Sequence, residues 1–298
     1  ATALEAYAVD NRKYPPCQNY YGWNIDNLPG YGWGAATWPT RLMWQITTPV
    51  AFMTSIPPNP FTFSDPIRLR PRGPSPLTSE VYAADFAETA AYGRADSSVR
   101  TPEQTDVAYF WSENPYVFWN RNLIDLTVRM RLGARESARF LAMVHTAVSD
   151  AVIVGFESKY AFDAWRPRTA IPQADNDGNP ATQADASWTP LLRVNHPEYP
   201  SGHGFWSTAV IDAVAAFAGS KRFPLTLRAE VPQLVQKTRS YRNLHELQRE
   251  IGDARVWGGL HWRQAIRDGE AIGAAVAGHV ARNFFRRCHG APGRGTCR

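Results

Sequence analysis

The chain has 298 residues, 44% of them hydrophobic, with 32 basic and 27 acidic side chains, enough length and apolar content to bury a sizeable core. That composition excludes a disordered chain, and the lack of a run of about 18 uncharged apolar residues or of a basic-then-apolar leader leads us to expect neither a membrane span nor an export signal. The basic residues are almost all arginine, with only Lys13, Lys159, Lys221 and Lys237 as lysines, which suits bidentate grip on oxyanions. With no dense basic run and no base-stacking motif, nucleic acid is not an expected partner.

In chain order, residues 1–60 form a Tyr/Trp/Gly/Pro-rich segment, distinct in character from residues 61–298. Its stretches "ATALEAYAVDNRKYPP" and "QITTPVAFMTSIPPNPF" resemble the soluble part of bacterial pilin-like proteins; an extension wrapping the main domain is the alternative. From residue 101 the pattern turns helical. Thr101, Pro102 and Gln104 compose a capping-box start. Apolar spacing predicts helices over 102–111, 116–131, 134–163, 203–218, 226–249 and 263–287, with Gly133 and Gly219 as stops. No stretch alternates like a strand, so the expected fold is all-α, a helical bundle behind an irregular N-terminal extension. Residues 172–190 read as a long polar loop. Cys288 and Cys297 bracket a Gly/Pro-rich segment that closes as a disulfide loop in an oxidising compartment or stays reduced, and Cys17 is left over.

Three short motifs carry chemistry. In "HPEYPSGHGFW", Pro200 precedes Ser201, Gly202 and His203 at the first turn of a predicted helix, where unpaired backbone N–H groups, a hydroxyl donor and a close-approach glycine make a seat for an oxyanion. Upstream, "KYAFDAWRP" sets Lys159 and Arg166 seven residues apart, two helical turns and therefore one face, with Pro167 ending the helix; the apolar residues between them favour a buried or cleft setting. Downstream, "RVWGGLHW" separates Arg255 from His261 by six residues, so the Gly258-Gly259 break must turn the chain to bring both to one place. Taken singly these are an N-cap, two solvated charges and a core histidine; taken together they offer three cations, a hydroxyl and an amide to one tetrahedral anion.

Lys-x6-Arg-Pro, Pro-Ser-Gly-His and Arg-x3-Gly-x-His, in this order, resemble the signature shared by vanadium-dependent haloperoxidases and the type 2 phosphatidic-acid and acid phosphatases. The stretches "FTFSDPIRLRPRGPSPLTSEVYAADFAE", "DNDGNPATQADASWTPLL" and "HPEYPSGH" are similar to the bacterial haloperoxidase branch, over about residues 59 to 287. The resemblance implies vanadate as cofactor, held by Lys159, Arg166, Ser201, Gly202 and Arg255, with His261 as the ligand to the metal and His203 as the acid–base group. It also implies that Lys159 polarises hydrogen peroxide and that His196, seven residues before His203, goes with bromide or iodide oxidation in preference to chloride. Two positions depart from the family pattern: Ala254 stands where many relatives have Ser, and Ala265 where they have Asp four residues after the ligand histidine. A metal-bound histidine needs an acceptor on its other nitrogen, a part open here to Asp268 or a backbone carbonyl.

Halide, hydrogen peroxide and a small organic acceptor are the partners so implied, and the location is extracellular or periplasmic. Two other readings use the same residues: an acid phosphatase with His261 as nucleophile and His203 as leaving-group acid, and a non-catalytic surface or filament subunit assembled through the pilin-like segment. The aromatic stretches "YFWSENPYVFW" and "FWNRNLIDL" exceed what one small bundle readily buries, so a homodimer or higher homo-oligomer is expected.

Overall fold

The computed structural model describes residues 66–285, so the 1–60 segment with its pilin-like stretches, and all three cysteines, lie outside the described residues. The described chain is a bundle of α-helices: α1 (Glu80–Tyr92), α2 (Pro102–Phe110), α3 (Pro115–Arg129), α4 (Ala134–Phe162), the single turn α5 (Pro167–Ala170), α6 (Gly202–Ala218), α7 (Leu244–Trp257) and α8 (Arg263–Asn283). The all-α expectation holds. The Thr101–Gln104 capping box forms in both directions, Gln104 N–H donating to the Thr101 hydroxyl and Thr101 N–H to the Gln104 side chain. Helix α1, which apolar spacing did not single out, is started by Ser79, whose hydroxyl accepts from Tyr82 N–H.

One expected helix is corrected. Residues 226–249 are not continuous: β1 (Leu225–Arg228) pairs antiparallel with β2 (Thr238–Tyr241), Leu225 opposite Tyr241, before Asn243 caps α7. The alternation is short but present: Leu225 and Leu227 on one strand and Arg239 and Tyr241 on the other face the core. Arg239 is tolerated there because Glu103 and Asp106 take its guanidinium at 2.7 and 3.1 Å.

The centre of the bundle is α6, which packs against α8 and α4. Its contact with α8 is backbone to backbone. A Cβ at Gly269 would stand 2.6 Å from the Ser201 carbonyl, and one at Gly273 2.5 Å from the Phe205 carbonyl, so only glycine permits this crossing. Helix α4 is long and apolar enough to cross a membrane, and buries one face, from Phe140 to Lys159, inside the bundle. Of the aromatic stretches expected at an interface, Phe110, Trp111, Phe118 and Trp119 are buried, Phe110 edge-on to Trp111, Phe118 edge-on to Trp119, and Trp111 tilted against Phe118 with centroids 5.0 Å apart, whereas Tyr116 is exposed. The surplus of aromatic surface inferred from sequence is therefore absent from these four positions.

Candidate active site

Lys159 and Arg166 do converge, by a route other than a shared helical face. Helix α4 ends at Phe162, Asp163 takes the left-handed conformation (φ 43°), and Arg166 returns as the N-cap of α5 with Pro167 at its first position. Both side chains are buried, Lys159 fully and Arg166 to 5% exposure. Lys159 Nζ donates to the carbonyls of Pro197 (2.8 Å) and Glu198 (3.0 Å). The Arg166 guanidinium spreads over the same turn: Nε donates to His196 O (2.8 Å), Nη1 to Leu260 O (2.7 Å), and Nη2 to Pro197 O (3.3 Å). It also touches two imidazoles, His261 Nε2 at 3.1 Å and His196 Nδ1 at 2.9 Å. Since arginine only donates, His261 Nε2 acts as an acceptor, whereas His196 Nδ1 lies between the Arg166 donor and the Pro197 carbonyl at 3.2 Å, and its tautomer decides which of the two it bonds.

The Gly258-Gly259 break turns the chain as the spacing requires. Gly259 lies at φ +69°, its N–H bonds back to Val256 O (2.9 Å), and Leu260 N–H reaches Arg255 O (3.0 Å), closing the C-terminus of α7 and aiming His261 inward ahead of α8. His261 is buried, and its Nδ1 lies 2.8 Å from Glu198 Oε1, which also accepts from Trp262 N–H at 3.0 Å. This carboxylate fixes the Nδ1–H tautomer and leaves Nε2 as a lone-pair donor. Sequence reasoning missed it. The acceptor it sought at Asp268 goes elsewhere: Asp268 Oδ2 takes the Tyr199 hydroxyl at 2.6 Å. The available signal was a carboxylate inside "HPEYPSGH", two residues from His196, in a stretch otherwise read only for its hydroxyl, glycine and histidines.

Ser201 is fully buried at the N-cap of α6, where its Oγ accepts from Gly204 N–H at 3.3 Å and its own N–H donates to Ala265 O at 2.8 Å. The hydroxyl proton stays available as a donor. A Cβ at Gly202 would be 3.9 Å from His196 Cε1, placing this turn beside His196, whose ring packs on Phe156 with centroids 5.3 Å apart. Arg255, 3% exposed, donates through Nη1 to Trp111 O at 2.7 Å, and the same carbonyl accepts from the His203 ring. His203 lies against Phe110, Trp111, Phe118 and Trp119. Arg255 Nε is buried without a hydrogen-bond partner among the described residues, as is Glu198 Oε2.

The electrostatics follow from burial. Desolvation, reinforced by the neighbouring cations, holds His196, His203 and His261 below the ordinary imidazole range, and Lys159 well below the ordinary ammonium range. Arg166 is lowered to about 10 by burial, partly offset by Glu198, and Arg255 to about 9 by burial and the charge of Arg166. Glu198 is raised to about 7 by burial, against the pull of Arg166 and Lys159. Lys159, Arg166, His196, Glu198 and His261 thus share one hydrogen-bonded network, and Arg255 and His203 lie within its electrostatic reach through Trp111.

The family described as VCPO second helical-bundle domain matches residues 139–290, just over half of the chain. This chain belongs to the vanadium haloperoxidase superfamily. The superfamily's other members include a curated relative, vanadium chloroperoxidase from Curvularia inaequalis, 26% identical over 149 residues, an alignment covering 41% of this chain and 24% of that one. Among solved structures, the first bacterial vanadium-dependent iodoperoxidase superposes with a TM-score of 0.64 at 24% identity, covering 74% of this chain and 54% of its own. An apo bacterial vanadium-dependent chloroperoxidase gives 0.61 at 20% identity, covering 74% and 53%. At these identities the superpositions speak for the fold. This haloperoxidase-superfamily chain spans about a quarter of the length of the curated relative and about half that of the solved ones.

The residues present fit vanadate. Lys159, Arg166 and Arg255 are three buried cations, and the fully buried carboxylate Glu198 is felt through space by Lys159 and Arg166 only, an imbalance that an oxyanion would compensate. His261 offers a neutral, pre-oriented Nε2 to a metal centre, and the partnerless Arg255 Nε is a donor in want of an acceptor.

Proposed function

We propose that this chain is a vanadium-dependent haloperoxidase that couples halide oxidation to hydrogen peroxide reduction, halide plus peroxide plus a proton giving hypohalous acid and water. The observation that carries this reading is the buried cluster of three cations around a neutral histidine whose Nδ1–H is held by a buried carboxylate. Bound vanadate supplies the Lewis acidity that activates peroxide toward halide. His261 Nε2 would hold it by exchanging the Arg166 N–H it now meets, while Arg166, Arg255, the third proton of Lys159 Nζ and the Ser201 hydroxyl would neutralise its oxygens. His203 gives one ring N–H to Trp111 O and keeps a lone pair on the other nitrogen, so in its neutral form it can take and return a proton. Aromatic rings of Phe110, Trp111, Phe118 and Trp119 line its surroundings.

His196, beside Gly202 and polarised by Arg166, adds a second imidazole near the reacting oxygens and supports bromide or iodide over chloride. The test is bromination of a diketone dye by peroxide with and without vanadate, repeated with chloride. Vanadate-dependent bromination with little chlorination near neutral pH is expected; chloride turnover equal to bromide turnover overturns the halide assignment, and no vanadate-dependent turnover overturns the haloperoxidase assignment.

A second reading has an observation of its own. The Glu198–His261 pair supplies the carboxylate-oriented histidine that a phosphohistidine mechanism needs and that Ala265 does not provide. Hydrolysis of p-nitrophenyl phosphate in the absence of vanadate, inhibited when vanadate is added, would select that reading.

A further inference from the structure

On the other side of Glu198 lies a cavity of about 350 Å³ that the functions above do not use. Its lining is chemically one-sided. Three carboxylates, Asp85, Asp163 and Glu198, meet aromatic rings that include Tyr82, Trp165 and Trp262, and among the described residues no lysine or arginine lines it. Lys159 and Arg166, whose charges act on Glu198 through space, direct their hydrogen bonds to the carbonyls of residues 196–198 and 260 and to the two imidazoles, not to the Glu198 carboxylate.

Two buried polar atoms on residues lining this cavity have no hydrogen-bond partner among the described residues: Glu198 Oε2, on a side chain with no exposure, and the Tyr82 hydroxyl, on one 5% exposed. Leaving such atoms unpaired costs about 1–3 kcal/mol each, so their presence around one cavity asks for a ligand with N–H groups to give. The aromatic walls add what a cation prefers. Tyr82 and Trp262 meet edge-on with centroids 5.4 Å apart, Phe86 stacks behind Trp262, and Trp165, 44% exposed, is reachable from solvent. Carboxylates for charge and ring faces for the apolar body are the two elements of organic-cation recognition.

We propose that this cavity binds a small organic ammonium, its N–H groups directed to Glu198 Oε2 and the Tyr82 hydroxyl oxygen and its apolar body against Trp165 and Trp262. Glu198 is then a shared wall, with Oε1 on His261 and Trp262 and Oε2 toward the cation. The proposal does not depend on the haloperoxidase reading, because its test needs neither vanadate nor peroxide.

The test is calorimetric titration of the anion-free protein with benzylammonium chloride, with benzyl alcohol as the neutral isostere and benzoate as the anion. Benzylammonium is expected to bind at least about tenfold more tightly than benzyl alcohol, with no detectable benzoate binding. Tyr82→Phe removes one oxygen and Trp165→Ala one exposed ring, so neither challenges the fold, and each is expected to weaken benzylammonium about three- to tenfold. Glu198→Gln is expected to erase the preference for the cation, with thermal melting to confirm that the variant is folded. Equal affinity for the three probes, a preference for benzoate, no binding of any, or full benzylammonium affinity in both Tyr82→Phe and Trp165→Ala overturns the proposal.

Discussion

Replacing Glu198 by Gln should change which tetrahedral anion the site prefers. The amide oxygen can still accept from His261 Nδ1–H and Trp262 N–H, so ring orientation survives and only the charge is lost. Two effects then oppose each other. The carboxylate repels a bound anion through space, by at most a few kcal/mol at an effective dielectric of about 20, so losing the charge favours every anion alike. Losing the charge-assisted bond to Nδ1–H makes Nε2 a poorer donor to a metal, and outer-shell changes of this kind cost about 10- to 100-fold in metal affinity, or about 1.4–2.7 kcal/mol. Phosphate shares the shape and charge of vanadate and feels mainly the first effect, whereas vanadate feels both. The ratio of vanadate to phosphate affinity, measured by titration calorimetry of wild type and Glu198→Gln, cancels the through-space repulsion and is expected to fall at least about tenfold. An unchanged ratio would refute the view that Glu198 tunes His261 as a metal ligand.

The remaining expectations are these. His261→Ala should lose vanadate binding, whereas His203→Ala should retain much of it and turn over poorly, as calorimetry and bromination kinetics would show; equal vanadate affinity in His261→Ala and wild type contradicts the ligand role. Three imidazoles held below 6.5 contribute stability that is present above that pH and lost as pH falls, since the unfolded chain takes up their protons first. Glu198, raised from 4.5 to about 7, acts in the opposite sense, its contribution being lost as pH rises through about 7, as do Asp85 and Glu270, whose carboxyls burial also raises, while burial of His145 adds a fourth lowered imidazole. The anion-free protein should therefore melt at lower temperature at pH 5.5 than at pH 7.5, and His203→Gln should narrow the gap; a melting temperature that rises on acidification contradicts the assignment. We also propose a homodimer that uses the exposed stripe Val117, Ile124 and Val128 on α3, spaced to share one helical face. Light scattering should show a dimer in wild type and a monomer in Val128→Glu, and a monomeric wild type at micromolar concentration removes the proposal.

What could be read from the sequence was local. Capping chemistry at Thr101 and Pro102, the glycine turn at 258–259 and the Pro-Ser-Gly-His start of α6 are set by neighbours within a few residues, and all three appear as expected. The convergence of Lys159 and Arg166 was foreseen for an incomplete reason: periodicity cannot show that Asp163 adopts a left-handed conformation that ends α4 three residues before Arg166. The hairpin at 225–241 was missed because two four-residue strands give too few alternations to separate from helical spacing. Glu198 was missed for a different reason. Its partners, His261 and Trp262, lie more than sixty residues away, and only the crossing of α6 and α8 brings them to it.

The way Arg166 is held bears on how such a protein matures. Its five N–H groups all reach main-chain carbonyls or ring nitrogens of residues 196, 197, 260 and 261. The guanidinium thereby stitches together two segments that are distant in the chain, so the scaffold around it is held by the protein's own carbonyls and imidazoles. On the proposed function, acquisition of the anion would then be a late exchange of one arginine contact on His261 for a stronger one, and a polypeptide made where vanadate is scarce would be charged wherever the element is supplied.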